Sequence, residues 1–280
     1  MYGAMWLERI TVYCFGASYT LALLLELLHL LRPHAYLQVL GNLLGGAGLL
    51  AHTLYLAEML FRSPGETPLA SQFGALLFVA WILAIFYLYG SLHHHRLAWG
   101  VFVLPLVLFL IALATIFAHD RDDTSAPTWL RGDRLLPLLH GILLLLAAVG
   151  VCVGFVASVM YLVQAHRLRN KTYPGGGIRL LSLERLEAMI RHAIVTAFPL
   201  LTAGVLVGLL LLIPRWSQLA WLDPRIVSTV ALWLLFALLV YLRYGYHIRA
   251  RRVALLTIVA FGLLVCTLAA SHTVTQGGGP

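Results

Sequence analysis

Two histidines, His140 and His272, stand at the ends of separate apolar runs, and two other runs are joined by the loop Trp216-Ser-Gln-Leu-Ala-Trp221-Leu-Asp223-Pro224. Arg215 and Arg225 flank that loop. Imidazole nitrogen ligates iron, indole rings stack on flat aromatic systems, and guanidinium pairs with carboxylates. Six-coordinate heme iron asks for that combination: two axial imidazoles, an aromatic surface for the ring, and cations for the propionates. His140 and His272 would be the iron ligands. The loop carrying Trp216, Trp221 and Asp223 would hold the porphyrin, and Arg215 or Arg225 would offset the propionate charge. Interfacial tryptophans are also common for a simpler reason, because indoles settle at the headgroup level of a bilayer.

These residues need elements to position them, and the composition names the solvent. With 61% hydrophobic and 11% charged residues and a mean hydropathy of +0.90, the chain cannot fold around a single water-facing surface. It reads as an all-α integral membrane protein. A bilayer core of about 30 Å needs roughly 20 apolar residues per helix, and eight such runs occur near 10–31, 38–61, 71–92, 98–118, 136–164, 193–213, 226–242 and 253–271. No soluble domain fits between them, so residues 1–280 are expected to form one membrane domain without strands. The first run is too long for a signal-peptide core and lacks a small-x-small cleavage site, so it is expected to be retained.

Loop charge sets the orientation. With the N-terminus outside, twelve of the nineteen Lys and Arg residues fall in inner loops, among them Arg249, Arg251 and Arg252 in the all-positive 243–252 segment. The outer loop from Asp120 to Arg134 is locally acidic. Eight spans then return both termini to the outer side, with His140, His272 and the tryptophan loop at one outer depth. The sequence pI near 9.7 is explained by inner-loop cations facing anionic lipid, without a nucleic-acid partner.

Within the helices, His52 lies near the middle of the second run, where an ionisable side chain is costly and faces the bundle interior or a cavity. It is a site candidate; the alternative is a neutral imidazole bonded to a neighbouring carbonyl. Glu26 lies one turn from His29 and could pair with it, while Glu58 is close enough to the outer surface to be wetted. Gly41, Gly45, Gly46 and Gly48 allow either close helix contact or the approach of a flat ligand below His52. Cys14, Cys152 and Cys266 form no C-x-x-C pair and read as buried packing. His93, His94 and His95 read as a solvated loop, and His29 and His192 sit at inner helix edges. Pro174 with Gly175, Gly176 and Gly177 should end the fifth helix. Residues 178–191 should then form a short amphipathic surface helix with Leu180, Leu183, Leu186 and Ile190 on one side.

From about His140 to His272 the chain resembles the heme-handling cytochrome c assembly proteins, which include the multi-pass subunit of system II cytochrome c synthases and shorter HemX-type relatives. Phe198-Pro199-Leu200-Leu201-Thr202-Ala203-Gly204 looks like the family's sixth-helix signature, and Trp216 to Pro224 like its tryptophan-rich heme loop. A weaker echo surrounds Ala51-His52-Thr53-Leu54. Relative to that loop, Ser217 replaces a glycine, Leu222 a tryptophan, Arg225 a lysine and Ile226 an acid, and Trp221 is offset by one. Tyr241 stands near the position of an intramembrane histidine in the synthases. These departures favour the HemX-like branch.

The resemblance implies an assembly-like core at about 136–273 and a place in a bacterial inner membrane. It implies heme b as cofactor, and an apocytochrome c and other cytochrome c assembly subunits as partners. The chain would present or convey heme at the outer face through His140 and His272, with His52 marking an inward part of the route. No independent catalysis is expected, although the chain could be the heme-delivery component of a cytochrome c synthase. The alternatives are a non-catalytic regulator or scaffold of tetrapyrrole synthesis and, last, a small-solute transporter using Glu26, His52 and Glu58. The transporter reading lacks the paired broken helices of an inverted-repeat carrier.

Overall fold

A computed structural model describes residues 2–32, 34–62, 71–93, 98–117, 135–170, 181–213, 224–246 and 248–276, with side chains left undescribed at 2–11, 61–62, 117, 224–225 and 269–276. The elements are eight helices in chain order: α1 Tyr2–Leu31, α2 Ala35–Arg62, α3 Gln72–His93, α4 Gly100–Phe117, α5 Leu135–Arg169, α6 Leu183–Leu212, α7 Pro224–Tyr244 and α8 Ala250–Gln276. Among the described residues there is no strand. Seven of the helices are long and apolar enough to cross a membrane, and the described apolar part of α4, Gly100–Ile116, is shorter. The protein is a multi-pass, all-α membrane protein.

The helices gather into two compact units, α1–α4 and α5–α8. In the first, α1 neighbours α2 and α4, and α3 neighbours the same two helices. The buried seam of α1 is Val12, Phe15, Tyr19, Ala22 and Glu26, a three-four spacing that holds one face toward a partner helix. On α2 the seam is Gly41, Gly45, Gly48, His52 and Tyr55. The two run antiparallel: Gly41 lies against Ala22 and Leu25, Gly48 against Ser18 and Tyr19, and His52 stacks on Phe15 at 4.3 Å between ring centroids. The chain's own tyrosines therefore occupy the space along the α2 glycines. A Cβ on Gly45 would come 2.6 Å from Tyr87 Cε1 of α3, and one on Gly48 would come 3.0 Å from Tyr19 Cε1. Because Tyr87 is fully buried, its ring cannot swing aside. Gly45→Ala is expected to cost about 1–3 kcal/mol by overpacking, read as a lower unfolding midpoint in detergent.

In the second unit, α5 packs closely on α6 and α8. A Cβ on Gly150 would lie 3.0 Å from Ala197 Cβ, and one on Gly154 would lie 3.1 Å from Thr257 Cγ2. Phe155 stacks on Phe261 at 4.1 Å. An ion pair between Glu187 of α6 and Arg243 of α7 closes one end. Nearer the other end, Trp233 Nε1–H donates to Thr202 Oγ1 at 3.0 Å.

Several sequence expectations change. The amphipathic surface helix expected at 178–191 is, over its described part, the beginning of α6, because no glycine or proline interrupts the chain between Leu183 and Pro199. Ser182 caps it by accepting the Arg185 N–H. Leu186 and Ile190 are buried and continue the stripe Ala193, Ile194, Ala197 and Leu201, so that side faces protein. Leu180 lies outside the described residues. Of the cysteines only Cys152 is buried, and Cys14 and Cys266 are exposed on helix surfaces. Glu26 does not pair with His29: its carboxylate lies 3.5 Å from Ser91 Oγ, while His29 Nδ1 is 3.1 Å from the His34 carbonyl, to which it donates. Glu58 is exposed on the surface of α2.

Candidate functional site

His140 occupies the second turn of α5 and is half-buried. Its Nδ1 lies 2.8 Å from the carbonyl oxygen of Gly204 on α6. A carbonyl only accepts, so Nδ1 carries the proton and Nε2 keeps the free lone pair. This is the arrangement of a metal-ligating imidazole, whose second nitrogen is held by a backbone carbonyl that fixes tautomer and ring plane.

The ring can reach that carbonyl because α6 has no side chains in the way. One turn beyond Gly204, a Cβ on Gly208 would stand 2.8 Å from His140 Cε1. A Cβ on Gly204 would stand 2.7 Å from Leu144 Cδ2. The two glycines form a notch in α6 that seats the first turns of α5. In the sequence the pair shows only as Gly-x-x-x-Gly spacing in an apolar run, which signals close helix approach without naming what approaches. The segment Phe198–Gly204 serves two neighbours: Gly204 receives His140 of α5, and Phe198 and Thr202 meet Trp233 of α7.

His272 lies four residues before the end of α8, and its side chain is not described. The backbone register nevertheless fixes its level. Contacts of α5 with α6 and of α6 with α7 show each pair antiparallel. The short connection at 245–249 folds α8 back along α7, so α8 is antiparallel to α5. From the contact between Gly154 and Thr257, His140 is fourteen residues back along α5 and His272 fifteen residues forward along α8. At about 1.5 Å per residue, both helices travel just over 20 Å from that contact to their histidines. The two backbones reach the same level of the unit.

Trp216, Trp221, Asp223 and Arg215 lie outside the described residues, as do His94, His95, His119 and His247. Arg225 stands in the first turn of α7 without a described side chain. His52 belongs to the first unit. It is wholly buried, and neither ring nitrogen has a hydrogen-bond partner, so the carbonyl bond expected of a packed neutral imidazole is absent. Phe15 stacks on one face, and Tyr19 stands edge-on at 6.2 Å. Among the described residues no group of three His, Cys, Asp or Glu side chains could hold a bare metal ion. A porphyrin brings four equatorial nitrogens of its own and leaves two axial positions for protein, so a pair of histidines matches its demand.

Residues 69–277, from just before α3 to the end of α8, match the family model described as cytochrome C assembly protein. The match begins well before the stretch that carried the resemblance and leaves His52 outside it. The chain is 24% identical to protein HemX of Bacillus subtilis (strain 168) over 214 residues, covering 76% of each chain. It is 26% identical to the cytochrome c biogenesis protein CcsA of Synechococcus elongatus over 273 residues, covering 80% of this chain and 83% of that one. Against CcsA of Microcystis aeruginosa the identity is 24% over 275 residues, with the same coverage. No solved structure matches significantly.

Proposed function

The chain belongs to the cytochrome c assembly protein family and serves cytochrome c biogenesis, and from that premise we propose that it binds heme b through His140 and His272. The observation that carries the reading is the His140 hydrogen bond to Gly204, which leaves Nε2 as a ready axial donor. The common level of the α5 and α8 histidines supports a two-imidazole site. Trp216 and Trp221 would stack on the ring, Asp223 would belong to the same loop, and Arg215 or Arg225 would face the propionates. Bound there, heme supplies a porphyrin whose vinyl groups can be offered to the cysteine thiols of an apocytochrome c. This chain's own part is to hold, orient and hand on the group, without independent catalysis. His52, buried with both nitrogens unpartnered, would be a second imidazole along the inward route.

The loop charges support placing the His140 end on the outer side of a bacterial inner membrane, where an apocytochrome c and other assembly subunits would meet it. The test is a reduced-minus-oxidised absorption spectrum of the full chain purified in detergent, before and after incubation with hemin. A low-spin heme b spectrum is expected. Absence of bound heme even after reconstitution would overturn the reading and favour a scaffold acting through the basic inner loops.

A further inference from the structure

At the end of the α5–α8 unit opposite His140, helices α6, α7 and α8 enclose a shallow cleft lined by Glu187, Ile190, Arg191, Arg243, Ala250 and Val253. Its charges do not balance. Arg243 is engaged by Glu187 and, through Nη1, by the Ile248 carbonyl at 3.4 Å. Arg191, one turn beyond Glu187 on α6, is exposed and has no hydrogen-bond or ionic partner among the described residues. The side chains of Arg249, four residues before Val253, and of Arg251 and Arg252 beside it are exposed in the same state. Across residues 183–191 and 243–252, Glu184 is the one carboxylate left to set against them and Arg185.

Folding alone does not ask for this arrangement. Three arginines crowd the start of α8, where the helix dipole already repels cations and the first turn holds no acidic residue. The level of the cleft supplies a reason. Tyr241, Tyr244 and Tyr246 are exposed around the end of α7, and tyrosines gather where a helix crosses the headgroup layer of a bilayer. Farther from that end, α7 exposes Leu234 and Leu238 and α8 exposes Leu255 and Val259. These spacings of four keep an apolar stripe turned to acyl chains. Ile190 and Val253, both buried, give the cleft apolar walls below its charged rim.

We propose that this cleft binds the headgroup of an anionic phospholipid, with the guanidinium groups of Arg191 and Arg249 on its phosphate. Guanidinium offers phosphate two parallel N–H donors, and phosphate oxygens only accept, so the donor set and the ligand match. The acyl chains lie against the exposed apolar faces of the unit. A soluble anion meets the same arginines but none of that apolar surface, and an acidic protein has to enter the headgroup layer to reach them. The bound lipid joins the beginnings of α6 and α8 to the end of α7, beside the Glu187–Arg243 pair, whatever His140 binds at the other end.

The test is native mass spectrometry of the full chain released from detergent, after titration with phosphatidylglycerol or with phosphatidylcholine of the same acyl chains. The first phosphatidylglycerol is expected to bind at least about tenfold more tightly than the first phosphatidylcholine. A cation beside an anionic headgroup contributes about a fivefold preference. Arg191→Gln combined with Arg249→Gln should therefore bring the two lipids within about threefold, and the corresponding lysine pair should keep most of the preference. Arg32→Gln combined with Arg169→Gln, an equal loss of charge at exposed residues that do not line the cleft, should leave the preference unchanged. All variants are compared at matched helicity. Equal affinity of the wild type for the two lipids, or a preference that survives in the cleft glutamine pair, would overturn the proposal. So would an equal loss in the control pair, which would reduce the effect to bulk charge. Displacement of the lipid by glycerol phosphate at matched concentration would overturn it too, by making the cleft a site for a soluble anion.

Discussion

Alanine at position 140 is expected to convert a low-spin heme spectrum to a five-coordinate, high-spin one, and free imidazole is expected to restore it. The expectation follows from the His140 ring being held by a bond that does not involve its ligating nitrogen. Removing the side chain would delete the proposed iron ligand and leave the Gly204 carbonyl in place, beside a hole of the shape of an imidazole. Affinity for hemin should fall by at least about 100-fold, the upper end of what losing even an outer partner of a ligand costs. Exogenous imidazole can refill the hole because the α6 notch remains. The measurement is a hemin titration followed by absorption, with and without imidazole. A variant that keeps a six-coordinate spectrum would remove His140 from the ligand set.

Valine at position 208 should do comparable damage without touching any histidine. The first added carbon would lie 2.8 Å from His140 Cε1, and valine's branches would follow. Either the ring leaves the Gly204 carbonyl or α5 moves away from α6. In both cases Nε2 loses its aim and its tautomer is no longer set. A loss of roughly 10–100-fold in hemin affinity is expected, and added imidazole should not rescue it, since the notch itself is filled. Gly208→Ala should lie between wild type and valine. Equal affinity across glycine, alanine and valine would mean that the notch does not position the ligand.

The number and class of helices were legible because a lipid solvent forces long apolar runs, and such runs survive any detail of packing. Boundaries were less so where helix leaves the membrane: α6 starts at Leu183, and its charged early turns hide the continuity that the buried Leu186–Ile190–Ala193 stripe reveals. His140 stood out as an imidazole opening an apolar run. Its partner did not, because a backbone carbonyl has no letter in a sequence and Gly204 is visible only as a missing side chain. The burial of all three cysteines was inferred from helix membership, but a membrane helix shows one face to lipid, and Cys14 and Cys266 are exposed. Tyr19, Asn42 and Ser91 are each ordinary alone; only the packing of α1, α2 and α3 brings Ser91 against Asn42 and Glu26, and Tyr19 against His52.

The Gly204 carbonyl belongs to the helix ladder as well as to His140, its first lone pair serving the i+4 amide of α6 and its second the imidazole. Imidazole ligands are often steadied by a carboxylate, which comes and goes with acidity and strengthens the ligand only while it is ionised. A peptide oxygen does not titrate. The partner that fixes the His140 tautomer is therefore part of the backbone, and the aim of Nε2 is tied to the integrity of a helix instead of to the ionisation of a neighbouring side chain.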